Sequence, residues 1–272
     1  MSRRLDCLTF RVPNAPACQS FYETVLGMSK KNGSSSPNNA KVLLGYNHPK
    51  GMKLSFHESP SCTVRKSTSQ DAYWKIGITV KNLDHAVGFL QLQGVPVSQP
   101  AQFLDIGYLC HLRDPAGMAI ELLQQGFEGD EEQPVNDDDA DEEQHPIGCQ
   151  AILAHITVRS TNKQMQQWCQ ETMGMRLMSV QPVKPYNFTL YFYTWSHEVL
   201  PESDDLEAVK NRPWLWARPY GLLEIQQKDS DQQLRATGAN EAGPTEITIV
   251  EEDPSSGDKV IATIDCLQDL GL

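Results

Sequence analysis

Four segments of the chain repeat one pattern, and nothing else in the sequence constrains the fold as strongly. Each begins with a run alternating apolar and polar residues, passes a polar turn, continues with apolar residues three and four apart, and reaches a glycine. The first is LDCLTFRV, then Phe21, Val25 and Leu26, then the glycine of VLGM. The second is WKIGITV, then Leu83, Val87 and Leu90, ending at Gly94. The third is LAHITVRS, then Met165, Trp168 and Met173, ending in TMGM. The fourth is TEITIV, then Val260, Ile264 and Leu267, ending in DLGL at the last residues. A period of two followed by a period of 3.6 reads as strand then helix, and a glycine after a helix supplies the left-handed residue that stops it.

Further strand-like runs follow the glycine in three of the copies: KVLLGY and MKLSFHE, then YLCHLRDPAGMAIELLQ, then NFTLYFYTW and YGLLEIQQ. Each complete copy therefore predicts a βαβββ unit. The fourth stops after its predicted helix, about three strands short, which leaves a face for a second copy or a partner chain to cover. The fold class is α+β, with tandem units in two halves and the fourth unit truncated after its helix. A helix on one face of a small antiparallel sheet leaves the other face needing cover, and two units side by side can curve around a cavity.

Charge marks the boundary between the halves. The formal charge is −12, but Gly126 to Cys149 holds ten acids and no Lys or Arg, so the remainder carries −12 + 10 = −2. Such a run reads as a solvated linker. The organisation is thus 1–125, a first half of two units; 126–149, an acidic linker; and 150–272, a second half with one complete and one truncated unit. Nothing is basic enough to suggest nucleic acid, and no apolar run is long enough to span a membrane. The seven cysteines (7, 18, 62, 110, 149, 169 and 266) are odd in number and scattered, without a CxxC. They read as reduced thiols in a cytoplasmic protein.

On LDCLTFRV…FYETVLGM, HLRDPAGMAIELL and HITVRS…TMGM the chain resembles the vicinal oxygen chelate superfamily and, within it, glyoxalase I. The third copy, with TLYFYTW and RPWLWARPYGLLEI, is closest to glyoxalase I. The resemblance implies a divalent metal (Zn, Ni, Co or Mn) held by side chains from the first and last strands of each unit. Carried across, those positions are Cys7 and Ser55 in the first unit and Lys75 and Glu121 in the second. In the third they are His155 and Glu224, and in the fourth Glu246. Cys7 and Ser55 suit a hard cation poorly, and the Lys75 ammonium repels one.

If the second and third units share a cavity, the site holds His155, Glu224, Glu121 and Lys75. If the third and fourth pair, Glu246 joins His155 and Glu224. The first arrangement is preferred because both of its units are complete. Glu121 is then third ligand or proton-transfer base, and Arg159 and Lys228 are the substrate handles. Asp71 or Ala242 stands where the family has another arginine.

The leading functional expectation is a glyoxalase I-like, metal-dependent isomerase or lyase of a small oxygenated substrate, a glutathione adduct among them. The alternative is a non-catalytic, glyoxalase-like ligand-binding or scaffold protein in which Lys75 has replaced the metal. A ring-cleaving dioxygenase is a weaker third, because only one histidine falls at a ligand position. The aromatic run YNFTLYFYTW and the nearby WLW read as core strand residues or as lining of a ligand pocket.

Overall fold

The computed structural model describes residues 2–31, 42–130, 145–148, 150–230, 232–253, 257–266 and 269–270. Residues 131–144 of the expected acidic linker, Cys149, Leu267 of the expected fourth helix, and the terminal glycine of DLGL lie outside them.

The three expected complete units are present. The first comprises β1 (Ser2–Val12), α1 (Ala15–Ser20, continued by a π-helical turn, Phe21–Val25), β2 (Ser29–Lys31), β3 (Leu43–Gly45) and β4 (Lys53–Glu58). The second comprises β5 (Tyr73–Val80), α2 (Leu83–Leu92), β6 (Ala101–Phe103), β7 (Gly107–Arg113) and β8 (Ala119–Gln124). The third comprises β9 (Ile152–Ser160), α3 (Gln164–Gln167, continued by the π-helical turn Trp168–Thr172), β10 (Arg176–Val183) and β11 (Phe188–Thr194), then a helical insertion, α4 (Asn211–Trp216), and β12 (Leu222–Lys228). Asn14 and Asn82 begin α1 and α2 by accepting the backbone N–H of Ala17 and His85, which satisfies donors a helix start leaves open. Gly27, Gly94 and Gly174, one per unit, have φ near +65° (+69°, +69° and +63°), the left-handed turn that lets the chain leave the helix for the next strand.

The fourth unit differs from the expectation. Val260 and Ile264 lie not on a helix but on β14 (Gly257–Asp265), which pairs antiparallel with β13 (Gly243–Asp253), Ile264 opposite Ile247. The run Val260-Ile261-Ala262-Thr263-Ile264 is rich in β-branched side chains, which suit a pleated surface better than a helix. The unit is a hairpin.

Two sheets result. The six-stranded sheet runs β14-β13-β1-β4-β3-β2, and the eight-stranded sheet runs β10-β11-β12-β9-β5-β8-β7-β6. The second and third units join through antiparallel β5 and β9, and the first meets the C-terminal hairpin through antiparallel β1 and β13. Alternation along β5 and β9 sorts the two faces. Ile76, Ile78, Ile156 and Val158 enter the main core, which also holds Tyr22, Leu26 and Leu90. Lys75, Gly77, His155 and Thr157 take the opposite, concave face. A smaller apolar cluster of Ile106, Leu123, Leu190, Phe192, Leu215 and Trp216 stands on that concave side. The six described cysteines are buried thiols, and among the described residues no helix is long and apolar enough to cross a membrane.

The RDPAG turn between β7 and β8 owes its shape to Asp114. One carboxylate oxygen accepts the N–H groups of Ala116 (2.9 Å) and Met118 (2.8 Å), and the other accepts the Tyr22 hydroxyl (3.3 Å). Burial nevertheless pushes Asp114 up from an ordinary 3.8 to about 6, against the pull of those bonds. The folded state then holds this proton more tightly than the unfolded state, so the group's contribution to stability falls as pH rises from 3.8 to about 6. Ionised Asp114 should cost on the order of 3 kcal/mol at neutral pH. Asp114→Asn keeps an oxygen for both N–H groups and cannot ionise. The stability difference, variant minus native, is expected to grow across that window. Melting temperatures from about pH 4 to about pH 7 check this, and a constant difference would refute it.

Candidate functional site

The eight-stranded sheet brings His155, Glu224, Glu121 and Lys75 together, on two neighbouring rungs. In one rung Glu121 of β8 stands beside Gly77 of β5, and Gly77 beside His155 of β9. In the next Lys75 of β5 stands beside Thr157 of β9, and Thr157 beside Glu224 of β12. Parallel pairing within each unit and antiparallel pairing between units put all four side chains on one face, and all four are buried.

Gly77 makes the convergence possible. A Cβ built there would lie 2.0 Å from Cε1 and Nε2 of His155, so the imidazole rests on the bare backbone of β5. From that seat His155 Nε2 lies 3.3 Å from Glu121 Oε1 and 3.2 Å from Glu224 Oε2. Neither contact has hydrogen-bond geometry, and both ring nitrogens are buried without a hydrogen-bond partner. Glu224 accepts the Thr157 hydroxyl at 2.5 Å. Lys75 Nζ donates to Glu121 Oε2, and His111 Nε2 approaches the same oxygen at 3.3 Å. Burial alone would raise the Glu121 carboxyl, but the Lys75 ammonium, with His111 and His155, holds it well below the usual carboxylate range.

A β-bulge between Tyr73 and Lys75 re-aims Trp74. Its ring stacks on His111 and carries the Lys75 ammonium and the Arg159 guanidinium, each 4.3 Å from the ring centre. The four polar residues form the floor of a cavity of about 290 Å³, near the lower end of the size of ligand pockets. Its walls are apolar and come from both units: Phe103, Ile106, Leu109 and Leu123 from the second, Phe188, Leu190, Phe192 and Trp216 from the third. Arg212 of α4 fastens one side by donating to the Asp105 carbonyl and pairing with its carboxylate at 2.8 Å.

Glyoxalase I from Zea mays matches this architecture over 93% of this chain and 75% of its own, with a TM-score of 0.62 at 13% sequence identity. One point mutant of it gives the same figures, and another gives a TM-score of 0.57 over 84% and 69% of the two chains, again at 13% identity. The chain has the vicinal oxygen chelate fold. No family model and no curated protein sequence matches it. At this identity the likeness concerns the fold, and the chemistry has to be argued from the side chains.

Within this vicinal oxygen chelate fold the metal expected from the sequence meets an obstacle. His155, Glu121 and Glu224 converge, yet the fourth corner belongs to an ammonium already bonded to Glu121. Among the described residues no group of three or more His, Cys, Asp or Glu side chains is arranged to hold a metal ion. As they stand, the donors do not fit the family's four-ligand set.

Glu246 is placed elsewhere. The third unit pairs with the second, so the condition for Glu246 to join His155 and Glu224 is not met. It stands on β13 in the other sheet, opposite Thr9 and Asp265, and accepts the Thr248 hydroxyl. Thr9 in turn sits beside Ser55, so the positions from the first and fourth units gather around β1.

The expected substrate handles are engaged locally. Arg159 donates to Gln226 Oε1 at 2.8 Å and to the carbonyls of Thr68 and Asp71 at 3.0 and 3.2 Å. Burial lowers it to about 10, still cationic at neutral pH. Lys228 donates to the Ser69 carbonyl at 3.1 Å, and burial and Arg159 lower it. Neither lines the cavity. Asp71 is buried between Arg65 (3.3 Å) and Arg235 (2.7 Å). Sequence reasoning missed Gly77, His111 and Thr157 as site residues, and it reached Trp216 only as part of WLW, as core or pocket lining. Of the three missed, only Gly77 carried a legible signal, as a glycine inside a strand, a common mark of close approach.

Gly77→Ala tests the seat. The β5 backbone accepts alanine and the imidazole does not. The variant is expected to fold, lose on the order of 1–3 kcal/mol, and shift the His155 imidazole NMR signals far more than those of His48 or His145. Unmoved His155 signals would show that the ring does not rest on Gly77.

Proposed function

We propose that the cavity between the second and third units binds a small, mainly apolar molecule, and that Lys75 stands in for the metal as the positive centre of its floor. The observation carrying this reading is the buried Lys75–Glu121 pair. An ammonium at that corner neutralises one of the two carboxylates a divalent ion would rely on, and it repels the ion as well. Removing it from Glu121 would leave a buried cation uncompensated, a change that costs about 3–5 kcal/mol when a buried pair is broken. The apolar walls supply affinity without any metal. On this reading the protein is a non-catalytic, glyoxalase-like ligand-binding protein, the second of the two functions expected from sequence.

One observation favours the other reading, a glyoxalase I-like metal-dependent isomerase or lyase. His155 is buried with Nε2 turned toward two carboxylates and bonded to neither. Zn, Ni, Co or Mn would require Lys75 to leave Glu121, which would then be third ligand or proton-transfer base. A glutathione adduct as substrate gains no support from Arg159 and Lys228, whose donors serve nearby carbonyls and Gln226.

Metal content separates the two. Untagged protein incubated with excess ions and desalted is expected to hold far less than one ion per chain and to melt at the same temperature in chelator. Lys75→His supplies a fourth donor in place of the cation. It is expected to acquire about one ion per chain and to lose it when His155→Ala is added. A native chain that retains about one ion and releases it on His155→Ala would establish the isomerase reading instead.

A further inference from the structure

The cavity's polar groups are distributed unevenly, and that distribution specifies a ligand. This inference rests on the cavity being a binding site. Its upper wall is aromatic. Phe103 and Tyr186 lie 5.5 Å apart between ring centres and Tyr186 and Phe188 6.4 Å apart, with Tyr186 largely exposed. Deeper in, Phe192 and Trp216 meet edge to face at 5.1 Å, and Trp216 lies 6.0 Å from the His155 ring. Flat rings pack well between such walls.

Amid the apolar wall, apart from the imidazoles of the floor, is an unsatisfied donor. Trp216 is 1% exposed, and its indole Nε1 is buried with no hydrogen-bond partner. The nitrogen lies toward β7 at Gly107, 3.8 Å from where a Cβ would stand, beside Leu123 Cδ1, which comes within 2.5 Å of that point. Buried donors are rarely left unpaired, because an unmade bond costs about 1–3 kcal/mol. In a wall of hydrocarbon, a ligand acceptor is what can satisfy it.

Charge sets the second limit. One ammonium, Lys75, faces two carboxylates, Glu121 and Glu224. The formal sum is −1 with His155 and His111 both neutral and zero with one of them protonated, so with neutral imidazoles the floor has no positive surplus for an anion. Arg159 interacts with the charges of both Asp71 and Glu224 but does not line the cavity. A carboxylate entering here would lose its water and gain no cation in return.

We propose that the cavity selects an uncharged aromatic molecule bearing a hydrogen-bond acceptor such as a carbonyl, to which the Trp216 N–H donates, and that it discriminates against carboxylates. Three probes of nearly equal shape test this by titration calorimetry: acetylnaphthalene, ethylnaphthalene and naphthoate. With native protein the ketone is expected to bind about tenfold more tightly than the hydrocarbon, and naphthoate at least about tenfold more weakly than the ketone. Trp216→Phe keeps the ring and removes the N–H. It should abolish the ketone's advantage while leaving hydrocarbon affinity within about twofold.

Equal binding of ketone and hydrocarbon by the native chain, or preference for naphthoate, overturns the proposal and leaves the pocket reading intact. Absence of binding by all three overturns both. If Trp216→Phe does not fold, the ranking of the probes on the native chain decides.

Discussion

The antiparallel ladder between β5 and β9 is the constraint on which the site depends. It joins two units that are otherwise separate in the chain, and its register sets Gly77 against His155 and Lys75 against Thr157. Side chains alternate faces along a strand, so a slip of one residue would turn Lys75 and His155 into the apolar core and bring Ile76 and Ile156 to the cavity. The core prevents that slip. Ile76, Ile78, Ile156 and Val158 are buried on the opposite face, and exposing them would cost about 1.5–3 kcal/mol apiece. The polar cluster is thus held in register by hydrocarbon on the other side of the sheet.

Held this way, the floor is a near-neutral set of charges in a dry place. A buried pair such as Lys75–Glu121 adds little net stability, because desolvating both ions offsets most of their attraction. Its effect lies in commitment. Glu121 already has a cation on one oxygen and two imidazoles close by, and Glu224 has the Thr157 hydroxyl. Among the described residues, the His155 ring, His111 Nε2 and the Trp216 N–H are buried members of the site without a hydrogen bond, and the recognition proposed for the cavity rests on the last of them.

The architecture was largely legible in the sequence because it is written four times, in periods of two and 3.6 closed by glycine. The same logic misjudged the last copy. Val260, Ile264 and Leu267 have helical spacing, but Val260 and Ile264 also sit in a β-branched run that alternates, and β13 lies alongside to pair with it. Among ligand positions, His155, Glu224, Glu121 and Lys75 were reachable because strand pairing converts sequence register into proximity. Trp216 was legible only as one of the WLW residues, core or pocket lining, since α4 is an insertion with no counterpart in the other units, and one turn of helix carries no periodicity that says where its indole will point. Arg159 illustrates the converse: the strand position fits the resemblance, yet a loop before β5 supplies carbonyls that bind its guanidinium. No reading of β9 alone could have foreseen those acceptors.

The hairpin of β13 and β14 bears on how the chain is made. Strands β5 to β12, which form the site-bearing sheet, emerge from the ribosome in one block and can pair as they appear. The six-stranded sheet is different, because β1 precedes that block in the chain and its partner β13 follows it. While that block is made, one edge of β1, with its unpaired amides and carbonyls, stays open for a strand that does not yet exist. Arg3, Arg4, Asp6 and Arg11 stud this strand, and such charges discourage a stray strand from docking while the edge waits. The sheet that holds the cavity is complete first, and the other closes only when β13 arrives.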